Sequence, residues 1–208
     1  MFKAKYKAAG VKCCVRDGAL NGFLSMISNK HEELSEYFKQ IHNTLTESEQ
    51  IYLKFLATTG LRPCEALNAF NLIIKLHGEG RLAEYYNQAF NCLDHYKYRD
   101  LFLRKTKNCY ISFVPKSLIE RIVISQPINY NRLKCALKRG GFKLRLKQLR
   151  SYHNSFLHKS ALSSELVDMI AGRIPARVLV RHHLTVNMQQ LSGQVLSIQQ
   201  RLLEGLYQ

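Results

Sequence analysis

Residues Thr46 to Leu76 spell out two helices and the tight turn between them. Thr46 is followed three residues later by Glu49, a capping box in which each side chain satisfies a backbone N–H at a helix start. The helix it opens carries Ile51, Tyr52, Phe55 and Leu56 and is expected to stop at Thr59-Gly60. Pro63 suits the first turn of a second helix, where its missing N–H has no partner to lose. That helix is expected over Pro63–Leu76, ended by Gly78 and Gly80. This much punctuation commits the stretch to a helical domain.

The rest of the chain repeats the pattern with one interruption. Asn21 to Leu45 reads as one or two helices, with Leu24, Ile27, Leu34, Phe38 and Ile41 as inward positions. Arg81–His95 is helical in pattern. At Leu101-Phe102-Leu103 and Tyr110 to Val114 the period changes to that of two strands around a basic turn, stopped by Pro115. Helical patterns resume over Ser117–Val123, Tyr130–Arg139, Leu144–Leu162 and Ser164–Ala171. A last amphipathic segment, Asn187–Leu206, spaces Leu191, Val195, Ile198, Leu202 and Leu206 at three or four residues. The expected fold class is mainly α with a small antiparallel β-hairpin or sheet. The expected division is a basic lead-in over 1–44 and a domain over 45–208. Of the 208 residues 46% are apolar, which excludes wholesale disorder.

The charge is concentrated. Net charge is +16, and from Lys97 to Arg181 there are 19 Lys and Arg against 4 Asp and Glu. A one-signed basic stretch of this kind attracts phosphates and releases counterions from nucleic acid. Arg104, Lys105, Arg132, Lys134, Lys138, Arg139, Lys143, Arg145, Arg177, Arg181 and His182 are its candidate DNA contacts, which position a duplex without reading its sequence. No apolar run is long enough for a transmembrane helix, and no signal peptide is read at the basic start. The six cysteines show no C-x-x-C pair and no Cys/His ligand spacing, so reduced, mostly buried thiols are expected rather than structural zinc. The expected location is the cytoplasm, on DNA.

Two segments resemble the tyrosine recombinase (phage-type integrase) family. Ala57-Thr58-Thr59-Gly60-Leu61-Arg62-Pro63-Cys64-Glu65-Ala66-Leu67 is similar to its first box, a T-G-L-R turn followed by E-A-L. Lys147-Gln148-Leu149-Arg150-Ser151-Tyr152 is similar to its second box, with Lys three residues before Arg. Downstream, Ile170-Ala171-Gly172-Arg173 resembles the G-R string of archaeal spindle-shaped-virus integrases, and Arg181-His182-His183 their R-H-Y tail. The resemblance implies the recombinase catalytic-domain fold and DNA cleavage and rejoining through a covalent 3′-phosphoprotein link. It implies double-stranded DNA as partner, no cofactor, and self-association into a tetramer through the C-terminal helix. Arg62 and Arg150 would clamp the phosphate, since a guanidinium fork binds two oxygens and stays charged. Lys147 and Arg173 would be further donors to it. The hairpin lysine, a general acid for the leaving oxygen, maps to Lys107, with Lys105 the near miss.

The departure lies at the nucleophile. The family places a tyrosine nine or ten residues after the third box, and His182 and His183 stand there. Three readings stay open: a tyrosine replaced at His183, a DNA binder that has lost cleavage, or attack by His183 itself. An imidazole reaches less far than a phenol, and misplacement by an ångström can cost about 10²-fold in rate. The first two readings are preferred. An RNA-binding or nuclease-like domain ranks below them, because there is no aromatic single-strand platform and no carboxylate cluster for magnesium.

Overall fold

The structure, a computed structural model, describes residues 36, 38, 40, 44–105, 108–140, 146–160, 162–173 and 186–207. Contacts divide the chain into Met1–Glu33 and Leu34–Gln208, and all described residues belong to the second unit. Of the expected helix over Asn21–Leu45, Glu36, Phe38 and Gln40 are described and helical, with Phe38 buried.

Helix α1 (Glu47–Thr59) begins as its punctuation requires. Thr46 is extended, its hydroxyl accepts the Glu49 N–H, and Glu49 Oε2 accepts the Thr46 N–H at 3.0 Å. Gly60 ends the helix with φ 61° and donates its N–H to Leu56 O. Glycine takes that left-handed conformation without the Cβ penalty that most other residues meet. Helix α2 (Pro63–Gly78) starts with Pro63 at its first position. The Tyr52 hydroxyl donates to Pro63 O at 2.9 Å, and Tyr52 and Phe55 both meet Phe70 edge-on. Aromatic pairs of this geometry add about 1 kcal/mol each beyond their buried area. One aromatic cluster therefore fixes the angle at which α1 and α2 meet.

Between α2 and the next long helix the chain forms strands β1 (Tyr86–Asn87) and β2 (Cys92–Leu93), a single turn α3 (Arg99–Phe102), and strand β3 (Ser112–Phe113). The sheet is antiparallel in the order β1-β2-β3, with Tyr86 opposite Leu93 and Cys92 opposite Phe113. This corrects two expectations. Arg81–His95 is a hairpin flanked by short 3₁₀ turns, not a helix. Asn87 Oδ1 accepts the Ala89 N–H, and Asn91 adopts φ 47°, so asparagine turn chemistry overrides an apolar spacing that mimics a helix. Leu101-Phe102 ends α3 and is not a strand; the partner of β3 is β2, with Cys92 opposite Phe113 and Leu93 opposite Ser112.

Helix α4 (Lys116–Val123) packs on α1 and α2, and α5 (Tyr130–Arg139) follows, capped by Asn129 Oδ1 on the N–H groups of Asn131 and Arg132. Asn71 of α2 ties in the approach to α5, exchanging bonds with the backbone N–H and C=O of Ile128. Helix α6 (Lys147–Lys159) lies against α1, and the short α7 (Ser164–Ile170) against α6. The long α8 (Met188–Tyr207) closes the domain. Its residues Leu191, Val195, Ile198 and Leu202 are buried against the same chain. Gln199 Nε2 donates to Thr58 O at 3.0 Å and to Phe113 O at 2.9 Å, and Ser192 Oγ donates to Phe90 O at 2.6 Å. The apolar stripe of the C-terminal helix thus serves its own domain.

The sheet has a polar core. His95 is fully buried, with Nδ1 2.7 Å from the Tyr85 hydroxyl and Nε2 2.9 Å from Ser112 Oγ. Burial pushes its pKa down to about 3, so the ring is neutral. Of the described cysteines Cys92 and Cys109 are buried, while Cys64 and Cys135 are exposed, so the expectation of mostly buried thiols holds for only half of them. Among the described residues no helix is long and apolar enough to cross a membrane.

Candidate active site

The turn from α1 to α2 presents Arg62. Leu61 is buried beside Gly60, and Arg62 is the extended residue that caps α2. Glu65, three residues on, bonds it twice. Oε2 accepts the Arg62 N–H at 3.1 Å, and Oε1 pairs with Arg62 Nη1 at 2.6 Å. The Glu65 side chain is 0% exposed and that of Arg62 30%. A buried carboxylate needs a paired charge, and Arg62 supplies it while keeping one edge toward solvent. Glu65 belongs to the same first-box string as Arg62, and its burial makes it the anchor of Arg62.

Arg150 lies in the first turns of α6 and joins two distant segments. Its Nη1 donates to Gly60 O at 2.8 Å and its Nη2 to Ala171 O at 2.7 Å. Ala171 caps α7, and Gly172 follows with φ 74°. The Gly172 N–H bonds Met169 O and the Arg173 N–H bonds Asp168 O at 2.8 Å, a glycine-terminated helix end. One guanidinium therefore touches the carbonyls two residues before Arg62 and two before Arg173. Burial, then repulsion from Arg62 and more weakly from Arg173, lowers the Arg150 pKa, while Glu65 raises it. A guanidinium has five N–H donors, and the two carbonyls take one each, which leaves three.

The third segment is the entry to β3. A Cβ at Gly172 would collide with the Asn108 carbonyl, so the Arg173 turn rests directly on the backbone at 108–109. Asn108 Oδ1 accepts the Arg104 N–H at 2.9 Å, which closes the loop holding Lys105. Buried Cys109 is pushed up to about 12 by burial first and by the Glu65 carboxylate second, with Arg150 and Arg62 acting against both. Residues 60–65, 108–109, 150 and 171–173 thus converge. Arg173 is the loosest member. Its side chain is 67% exposed and pairs with Asp168 at 2.9 Å.

The remaining candidates divide cleanly. Lys147 is exposed as the first residue of α6, one turn before Arg150. Arg104 and Lys105 are exposed beside the β3 entry. Arg132, Lys134, Lys138 and Arg139 are exposed on α5, with Arg132 Nε 3.9 Å from Glu49. Lys107, Lys143, Arg145, Arg177, Arg181, His182 and His183 lie outside the described residues. Two features carry no signal in sequence: the seating of Gly172 on Asn108, and buried His153 behind Gly60. Among the described residues, no three His, Cys, Asp or Glu side chains come together as a metal site requires.

No curated protein and no solved structure matches the chain significantly. The family model for archaeal phage integrase matches residues 26–193, which takes in the Arg62 turn, the β3 entry, α6 and the Gly172–Arg173 turn. With that match over most of its length, the chain belongs to the archaeal phage integrase family.

Proposed function

We propose that this protein is a site-specific DNA recombinase domain with the tyrosine recombinase catalytic fold, and that Arg62, Arg150 and Arg173 clamp one scissile phosphate. The observation that carries this is the Arg150 guanidinium, bonded at once to Gly60 O and Ala171 O. That strap supports a single site for three arginines distant in sequence. In the reaction a nucleophile on the 174–185 segment attacks phosphorus, its bond to phosphorus forms, and the bond to the 5′ oxygen breaks. Lys107, or Lys105 beside it, donates a proton to that oxygen, and Lys147 adds a donor at the phosphate. Charge building on the non-bridging oxygens meets fixed cations, which is where such sites gain most of their rate. Cations of α5 and of the 141–145 and 177–182 segments hold the duplex. Residues 45–208 form the working domain and 1–44 its lead-in, acting on DNA in the cytoplasm of the host cell. Since the apolar stripe of α8 is occupied in its own chain, assembly into a tetramer would use its outer face.

His183 stands where the nucleophile belongs, and it divides the recombinase from a silent binder of the same sites. The test is a nicked attachment-site duplex, with covalent protein–DNA product read on a denaturing gel. The recombinase reading expects no adduct from the chain itself and an adduct from His183→Tyr. DNA binding with no adduct from either protein establishes the silent binder. In the His183→Tyr background, Arg62→Ala and Arg150→Ala should each slow cleavage by about 10²–10³-fold, the range for lost transition-state donors. Duplex affinity should fall only modestly; loss of all binding with either change removes the clamp assignment.

A further inference from the structure

One buried side chain behind the arginines has no part in this chemistry. His153 lies on α6 just under one turn after Arg150 and is 1% exposed. Its ring is seated against Gly60, where a Cβ at 60 would fall on Nδ1. Gly60 is the residue whose carbonyl holds Arg150 and whose left-handed turn leads to Arg62. The ring is poorly served by hydrogen bonds. Nδ1 is 3.3 Å from Asn154 Oδ1, the Thr58 backbone also acts on the ring as a hydrogen-bond partner, and Nε2 makes no hydrogen bond of good geometry among the described residues. A buried ring nitrogen without a partner costs stability that an apolar side chain would not. What the fold fixes about this ring is its seat against the Gly60 turn. Burial holds the ring neutral, with a pKa down to about 4, so it brings no further charge next to Arg150. From α8, Gln199 grips the same turn through Thr58 O.

We propose that His153 is a positioning residue: its ring, seated against Gly60, sets the turn that spaces Arg62 from Arg150 and so sets where the phosphate clamp closes. The inference rests on the clamp reading, and its test has one arm that needs no DNA. In that arm the Arg150 Nε–H resonance, assigned by its loss in Arg150→Lys, reports the guanidinium directly. His153→Ala should displace it. His153→Asn, which keeps a polar atom where Nδ1 stood, should leave it in place.

The second arm uses the His183→Tyr protein. His153→Ala should lower kcat for strand cleavage by about 10–100-fold, the scale of an ångström-level misplacement. KM for the duplex should stay put, and His153→Asn should recover most of the rate. Gly60→Ala, which drives a Cβ into the ring, should also slow cleavage, and adding His153→Ala should return part of the loss. An unmoved resonance and unchanged kcat in His153→Ala overturn the proposal. If that variant does not fold, His153→Asn decides, and a displaced resonance there overturns it. If His183→Tyr does not cleave with His153 intact, the clamp reading fails alone, and the resonance still tests the positioning.

Discussion

The Arg62–Arg150 side of the site and the Arg173 side are built differently. Arg62 is tied to a fully buried carboxylate, Arg150 to two backbone carbonyls, and behind them stands a buried neutral ring. Arg173 has a glycine turn beneath it and a solvent-exposed partner, Asp168. Partly buried, multiply bonded cations hold one geometry, whereas exposed ion pairs contribute little and exchange readily. In the clamp proposed above, the first side would be set before DNA arrives, and Arg173 would exchange its exposed partner Asp168 for a phosphate. A site that must grip, release and grip again gains from one rigid jaw and one that adapts.

Acid should have the largest effect, through one ring behind the rigid side and one in the core of the sheet. His153 and His95 have folded pKa values of about 4 and about 3, below the ordinary histidine value of 6.5. The unfolded chain then binds more protons than the folded one from pH 6.5 downward, so stability is full above that window and is lost as pH falls through it. Each ring's slope rises from about half of 1.4 kcal/mol per pH unit at pH 6.5 toward that full value, so between pH 6.5 and 5 the two together cost about 3 kcal/mol. Urea unfolding across that range measures it, and His153→Asn should remove about half. A flat profile means neither ring is buried in its neutral form, and the contrast between the two sides goes with it.

Next in size is Glu65→Gln, which removes the charge that anchors Arg62. Breaking a buried pair typically costs about 3–5 kcal/mol, and Arg62 is partly exposed, so about 2 kcal/mol is expected here from urea titration. A loss below about 0.5 kcal/mol, the scale of a surface change, would place Glu65 among ordinary surface acids and make both jaws alike.

Where the sequence was legible, the signal was local. The Thr46/Glu49 box, the Gly60 stop, Pro63 and the Tyr130–Arg139 helix are each specified within a few residues, and each is found as expected. Arg62 and Arg150 were legible because each sits in a short string of its own. The two-residue strands were not, because a strand that short has no period to detect, and β2 finds β3 across a connection that contains a helix turn. Glu65 was visible but its burial was not, since its surroundings come from distant segments: Arg150 of α6 and Cys109 at the β3 entry both feel its charge. In sequence His153 is one polar residue among several on a basic helix, and its seat against Gly60 comes only from the packing of α6 on the α1–α2 turn.

The smallest expected effect tests the adaptable side. Asp168→Asn removes the partner of Arg173, yet the pair is 2.9 Å apart at an exposed position, with side chains 67% and 42% accessible. Pairs of this kind contribute about 0–1 kcal/mol, so the midpoint of urea unfolding should move by less than about 0.5 kcal/mol. DNA affinity should rise slightly, because Arg173 no longer has to leave a carboxylate before it meets a phosphate, and the gain should shrink as salt screens the competing charge. A destabilisation as large as that of Glu65→Gln would mean that Asp168 anchors Arg173 as Glu65 anchors Arg62. Both jaws would then be rigid, and closure on DNA would have to come from elsewhere in the chain.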